Sequence, residues 1–345
     1  MQSVTTRAEK KVGFVVVGLG SIAQSSVLPA FANCKRARLV AVVSRDRKKA
    51  KHLANKYNGA DHYEVSEYKA CLANPDVVAV YIATPQGQHE PFTVQAAQAG
   101  KHVLCEKPLA ATVEQSARMM KACRENRVLL MTAYRKYSEP AAKYFKSLVQ
   151  SGKLGRIDTV HSDFSELFTP RKSPAWLVNR NLAGGGPLMD LGIYCVNTAR
   201  WMLEEFPHEA CAYSWCNDRR RFSEVEEGIS FRLHFPSGVV MLGSSSYSVA
   251  PTSFLRVQGT KGWACLSPAY DFAEERRFTG KIGGRWIERT FPVRDEFAPE
   301  LDAFSSAIQG RGTSFPDGEE GHRDMVILHS IYESAQRGAP VKIEY

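Results

Sequence analysis

The most constraining stretch of this chain lies near its start. Residues 11–17 (KVGFVVV) form a near-continuous β-branched run, and Gly18-Leu19-Gly20-Ser21-Ile22-Ala23 follows directly. Such a run reads as a parallel strand buried on both faces, since a half-exposed strand would alternate apolar with polar residues. The turn after it has the spacing G-x-G-x-x-A and opens a helical stretch over residues 22–32. Gly18 permits the tight turn, Gly20 lets the backbone approach a pyrophosphate, and Ala23 keeps the helix close to the strand. Ser21 and Ile22 then stand at a helix N-terminus, where N–H groups and the positive dipole end favour phosphates. A strand, this turn and a helix in that order predict a dinucleotide site.

The amino-terminal half continues as strand and helix in turn. Strands are expected over residues 39–44 (LVAVVS), 77–83 (VVAVYIA), 101–105 and 128–132. Helices are expected over residues 46–57 with Asp46 as N-cap, over 89–99 ended by Gly100, and over 112–126. The last begins Thr112-Val113-Glu114-Gln115, which fits a capping box. This alternation implies a doubly wound parallel sheet with right-handed crossovers, a Rossmann-type α/β fold.

After about residue 133 the pattern changes. A helix over residues 138–152 carries Pro140 in its first turn. Strand-like runs follow at residues 157–164, 229–235, 239–247, 254–258 and 263–266, with hairpin links at 236–238 and 259–262. Long helices are expected over residues 186–203, 299–308 and 319–337. This half reads as an α+β unit: an open, mainly antiparallel sheet flanked by helices. The division is residues 1–133 for the dinucleotide and 134–345 for substrate and self-association.

A length of 345 residues suits two domains. The net charge of +9 raises nucleic acid as a partner, but the basic residues are scattered and the densest cluster is Arg219-Arg220-Arg221. Nucleic acid is therefore not expected; a mildly basic surface suits an anionic cofactor equally. Residues 1–11 read as a polar, flexible lead-in without the apolar stretch of a secretory signal. No window approaches the ~20 apolar residues that span a bilayer. No membrane role is expected, and the compartment is read as cytoplasmic, or periplasmic if a leader has been removed. None of the eight cysteines forms Cys-x-x-Cys and no His pair has zinc-ligand spacing, so free thiols and no metal are expected.

The end of the second strand bears on the cofactor. An acidic residue there holds the ribose 2′-hydroxyl of NAD, whereas NADP sites avoid that charge and supply arginine. Here the strand ends Ser44-Arg45-Asp46, followed by Arg47, Lys48 and Lys49. Ser44 can donate to a 2′-phosphate, Arg45 can pair with it and stack on adenine, and Lys49 adds charge. This favours NADP, provided that Ser44 rather than Asp46 faces the ribose.

With these residues in hand the chain resembles the Gfo/Idh/MocA oxidoreductases, over about residues 12–342. Gly18–Ala23, Thr84-Pro85 with His89, Ala99-Gly100-Lys101-His102-Val103 and Glu106-Lys107-Pro108 occur in the family's order and spacing. Gly184-Gly185-Gly186, Met189-Asp190-Leu191-Gly192-Ile193-Tyr194 and Ser245-Ser246-Tyr247-Ser248 are similar to the glucose–fructose oxidoreductase branch. The resemblance implies an active site between the two halves, at the carboxyl edge of the parallel sheet, with Lys107, Asp190 and Tyr194 catalytic. A phenol ionises near pH ~10 by itself, so Tyr194 as general acid/base needs a neighbouring cation, expected to be Lys107. Asp190 would orient the substrate hydroxyl.

The resemblance also assigns Thr84, Pro85, His89, Glu106 and Lys107 to the cofactor, and Arg135 to cofactor or substrate. Where the branch has Trp-Arg, this chain has Trp176-Leu177 with Arg180 three residues on, so Trp176 and Arg180 are the expected nicotinamide-side contacts. A cis Lys107–Pro108 bond is expected. The implied activity is NADP-dependent hydride transfer to or from an aldose-type sugar, with the cofactor either released or cycled between two sugars. A homodimer or homotetramer through the carboxyl-terminal sheet is implied. A reductase of a ketone, lactone or diol-type substrate, and an NADP-sensing regulatory protein, stand as alternatives.

Overall fold

The computed structural model describes residues 10–57, 59–272, 274–312 and 316–345. Most of the expected lead-in, residues 1–9, thus lies outside the described residues. Among the described residues, β1 (Val12–Val17), β2 (Ala37–Ser44), β3 (Asp61–Glu64), β4 (Ala79–Ile82), β5 (His102–Glu106) and β6 (Leu130–Ala133) form one sheet. Its order is β3-β2-β1-β4-β5-β6, and every neighbouring pair is parallel. The order reverses at β1 and β4, the crevice where such sheets hold ligands.

All six residues of β1 are buried. Phe14 and Val16 pack with Phe31 on one face, while Val15 and Val17 join Val80, Ile82 and Val103 on the other. The edge strand β3 was not anticipated, because Asp61-His62-Tyr63-Glu64 has no apolar run.

The helices largely follow their caps. Asp46 accepts from the Lys49 N–H at 3.0 Å and starts the helix Arg47–Lys56. Thr112 accepts from the Gln115 N–H at 3.3 Å and starts Val113–Glu125. The capping box is only half formed: the Gln115 carboxamide accepts from the Ala111 N–H at 3.1 Å, not from Thr112. The expected regular helix over 22–32 is instead a π-wound turn, Ala23–Val27, followed by Leu28–Ala30. Pro29 lies here, and a residue without an N–H disturbs the regular ladder.

The second sheet is built from β7 (Ile157–Leu167), β8 (Glu209–Trp215), β9 (Gly228–His234), β10 (Val240–Ser246), β11 (Ser248–Gly259), β12 (Gly262–Ser267), β13 (Arg276–Ile282), β14 (Arg285–Phe291) and β15 (Val341–Lys342). Its order is β14-β13-β12-β11-β7-β10-β9-β8-β15. It is mainly antiparallel, but β7 and β10 pair in parallel. Strands β13 and β14, RRFTGKI and RWIERTF, carry too many charges to stand out as strands in sequence.

Two helices tie the sheets together. Gly318–Arg337 packs against β8, β6 and the helix Val113–Glu125. Phe297–Ile308 returns to the first sheet, where Phe304 meets Phe14 at 6.3 Å between ring centres. The expected helix over 186–203 is a π-wound segment, Leu188–Gly192, continuing as Ile193–Leu203. Its buried Arg200 and Asn197 both bond Asp324 of the last helix, at 2.8 Å each. Asn197 therefore serves packing.

Candidate active site

Gly18, Ser44, Thr84, Glu106 and Tyr134 each stand at or just past the carboxyl end of a parallel strand, so one edge gathers them. Gly18 has φ +91°, and a Cβ there would lie 2.6 Å from the Ala83 carbonyl oxygen. A Cβ on Gly20 would meet nothing within 4 Å. That is an open cradle over the turn, the form a pyrophosphate needs. At the tip of β2 the Ser44 hydroxyl accepts from the Asp46 N–H at 3.1 Å. The Asp46 carboxylate is turned onto its own helix as the cap. Arg45 and Lys49 are exposed and, unlike Arg47 with Glu64 and Glu67, have no ion-pair partner among the described residues.

Lys107 follows β5 through a cis Lys107–Pro108 bond, as expected. Its Nζ donates to the Asp190 backbone oxygen at 2.6 Å and to Asp190 Oδ1 at 3.2 Å. Burial disfavours its charge, but Tyr194, Asp190 and Glu106 outweigh this and hold the amine above its ordinary range. Glu106 accepts from the Tyr81 hydroxyl at 2.7 Å and from the Lys107 N–H at 3.2 Å. Burial nevertheless pushes its carboxyl up. The other oxygen of Asp190, Oδ2, accepts from the Tyr247 hydroxyl at 3.0 Å.

Tyr194 lies beside this pair, though not in the way expected. The Lys107 ammonium sits over the face of the ring, 4.7 Å from its centre. The cation at the phenolic oxygen is Arg135, whose Nε donates at 3.1 Å. Arg135 is itself bound to Glu296 and to the Tyr270 carbonyl oxygen, and it is 2% exposed. It is thus a neighbour of the phenol rather than a free arm reaching for cofactor.

His89 also has a different part. It is 1% exposed; its Nδ1 lies 3.1 Å from the Leu109 oxygen and its Nε2 2.9 Å from the Thr84 oxygen. The ring clasps the Thr84-Pro85 turn to the loop after Lys107. Burial lowers its basicity, with those backbone oxygens opposing. The short helix Arg180–Ala183 packs against the turn Gln86–Gln88, which follows Pro85. Trp176 is half-buried in the preceding turn, Ala175–Val178. Arg180 is exposed, donates to the Glu224 oxygen at 3.0 Å, and lines a surface groove with Thr112, Tyr332 and Arg337. Its polar contacts are therefore with Glu224. Tyr270 and Glu296 carried no sequence signal; Tyr247 stood inside the Ser245–Ser248 motif, but nothing there gave its side chain a role.

A doubly wound dinucleotide-type sheet with a lysine, an aspartate and a tyrosine converging at its carboxyl edge defines a nucleotide-dependent oxidoreductase. Residues 12–134 match the oxidoreductase family with an NAD-binding Rossmann fold, and residues 143–265 match the GFO/IDH/MocA carboxyl-terminal domain. The chain is 30% identical to a D-xylose 1-dehydrogenase [NADP(+)] of Haloarcula marismortui, over 98% of this chain and 95% of the relative. It is 33% identical to a D-xylose 1-dehydrogenase (NADP(+)) of Haloferax volcanii, over 96% and 99%. Among solved structures, the aldose–aldose oxidoreductase of Caulobacter crescentus, complexed with glycerol, superposes with a TM-score of 0.90. That match has 37% identity over 96% of this chain and 100% of the other. The chain belongs to the Gfo/Idh/MocA oxidoreductase family.

Proposed function

We propose that this oxidoreductase transfers hydride between an aldose-type sugar and NADP, with Lys107, Asp190 and Tyr194 as its catalytic residues. The observation that carries the reading is the convergence of these three, from β5 and from one helix of the other half, at the edge where Gly18, Gly20 and Ser44 offer a phosphate cradle. The cofactor, when bound, accepts or gives the hydride. Gly18–Ala23 would hold its pyrophosphate, and Ser44, Arg45 and Lys49 its 2′-phosphate. The capped Asp46 supports NADP over NAD, because its carboxylate is engaged on the Lys49 N–H.

Tyr194 takes the proton of the sugar hydroxyl as hydride leaves the same carbon, and returns it in reduction. Lys107 stays an ammonium and donates to the reacting oxygen. Asp190, held by Lys107 and Tyr247, accepts from a neighbouring hydroxyl and orients the ring. The likeness to an aldose–aldose enzyme favours a second reading of turnover, in which bound NADP is reduced by one sugar and reoxidised by another. The open face of the second sheet, where Tyr213 is 69% and Leu242 42% exposed, suits self-association.

The test is the absorbance band of reduced nicotinamide in the purified protein as aldoses, D-xylose first, are added. A stoichiometric rise without added cofactor, reversed by a second sugar, is the result for cycling. Turnover only on adding NADP is the result for a conventional dehydrogenase. Silence under both conditions would sink the aldose reading.

A further inference from the structure

Beside Tyr194 lies a group of buried charges that no step above uses. Glu296, just before the helix Phe297–Ile308, is 4% exposed. Its carboxylate accepts from Arg135 Nη1, from Lys136 Nζ at 3.4 Å and from Arg276 Nη2 at 3.0 Å. Arg135 and Lys136 follow β6, and Arg276 begins β13, so three remote segments meet on one carboxylate. A buried ion cluster is weak evidence for stability, because desolvation offsets most of its attraction. The geometry of Arg135 gives the cluster another purpose.

A guanidinium has five N–H donors in one rigid plane. Here Nη1 is held by Glu296 and Nη2 by the Tyr270 carbonyl oxygen. Its carbon lies 4.1 Å from the centre of the Phe272 ring and 4.9 Å from that of Tyr194. With the plane so fixed, Nε–H points to the phenolic oxygen. We infer that Glu296 is a positioning residue for proton transfer: through Arg135 it pins a positive charge at the oxygen of Tyr194. This rests on the reading of Tyr194 as the acid/base. In sugar oxidation the substrate O–H breaks, the Tyr194 O–H forms and hydride goes to the nicotinamide. Arg135 keeps its protons throughout, and its Nε–H holds the phenolic oxygen in place for the transfer.

The other groups facing these two residues fit that role. Tyr194 meets Lys107 over its ring and the ring of Tyr270 at 5.7 Å. Burial works against the charge of Glu296, but Arg135, Lys136 and Arg276 outweigh it and hold the carboxyl below its ordinary range. Lys136 is pushed down to about 7, by burial first and then by Arg135. Glu139, at the start of the helix Pro140–Gln150, lies 3.9 Å from Lys136. Glu300, on the helix that Glu296 precedes, is buried and its carboxyl is driven well up by burial and by Glu106. Arg135 and Arg276 are thus the cations that Glu296 answers at every pH near neutral, with Lys136 joining them as the pH falls through about 7.

The experiment is the pH profile of kcat/KM for sugar oxidation at saturating NADP, in wild type, Glu296→Gln, Glu296→Asp and Tyr194→Phe. In Glu296→Gln the rising limb should move up by about one pH unit, a tenfold loss at neutral pH, with the KM for sugar little changed. Glu296→Asp, which keeps the charge but falls a methylene short, should move it less. A limb that stays in place, or moves down, overturns the inference even if activity or melting temperature falls. Should Glu296→Gln not fold, the same limb in Glu296→Asp decides. If Tyr194→Phe retains the wild-type profile, the reading of Tyr194 itself fails and takes this inference with it. A lost limb in Tyr194→Phe beside an unmoved one in both Glu296 variants sinks the inference alone.

Discussion

Asp190 shows how much of a site can rest on one unannounced hydroxyl. One carboxylate oxygen answers Lys107; the other accepts from the Tyr247 hydroxyl. A hydrogen bond to a charged group contributes about 1.5–3 kcal/mol. Tyr247→Phe should therefore lower kcat/KM for sugar by about tenfold or more while leaving the fold intact. The ring would still pack against Phe168 and Phe222. Kinetics beside a thermal melt check this; unchanged kinetics would mean Asp190 needs no second anchor. Lys107 was legible only through the resemblance, because Glu106-Lys107-Pro108 matches a family motif; by itself it reads as a surface-loop lysine. Tyr247 was not, because nothing in Ser245-Ser246-Tyr247-Ser248 reveals which side chain faces the cleft.

At the scale of the element, the turn after β1 separates folding from binding in two glycines with one residue between them. Gly18→Ala places a methyl 2.6 Å from the Ala83 carbonyl oxygen at φ +91°. It should destabilise the protein by about 1–3 kcal/mol, read by denaturant melts. Gly20→Ala points its methyl into open space, so its melting temperature without cofactor should match wild type. Its dissociation constant for NADP should rise about tenfold, or about 1.4 kcal/mol. Equal binding by Gly20→Ala would place the pyrophosphate elsewhere. Periodicity located this helix and the one bearing Asp190. It did not show that both begin with π-wound turns, because widening by one residue per turn leaves the apolar spacing nearly unaltered over so short a stretch.

At the scale of the whole molecule, the fold gathers charges that the sequence scatters. The amine of Lys136 is pushed from 10.5 down to about 7 in the folded protein. Between those values the unfolded chain binds a proton that the native state refuses. Stability from this group therefore rises with pH across that window and is least below it. Lys136→Met removes the penalty, so its melting temperature relative to wild type should be more favourable at neutral pH than near pH ~10. The same difference at both pH values would show that Lys136 is not held neutral. The helix Phe297–Ile308 is the other long-range surprise. Its sequence announces an apolar face, but only tertiary structure shows that this face covers the first sheet.

By itself the sequence determined the strand–turn–helix cradle, the alternation that makes a parallel sheet and most caps; the trio of Lys107, Asp190 and Tyr194 came only through the resemblance to a family. The first three are written in local spacing, and local spacing sets hydrogen bonding, backbone conformation and which residues share a face. Tertiary structure alone decided that Arg135, not Lys107, stands at the oxygen of Tyr194, that His89 clasps two loops, and that Arg180 turns to Glu224. It also brought Glu296 to the far end of the Arg135 guanidinium that meets Tyr194, and ran β7 parallel to β10. Those outcomes depend on contacts between segments far apart in the chain. What meets across such a distance is chosen by the packing of the whole core, which no short window of residues encodes.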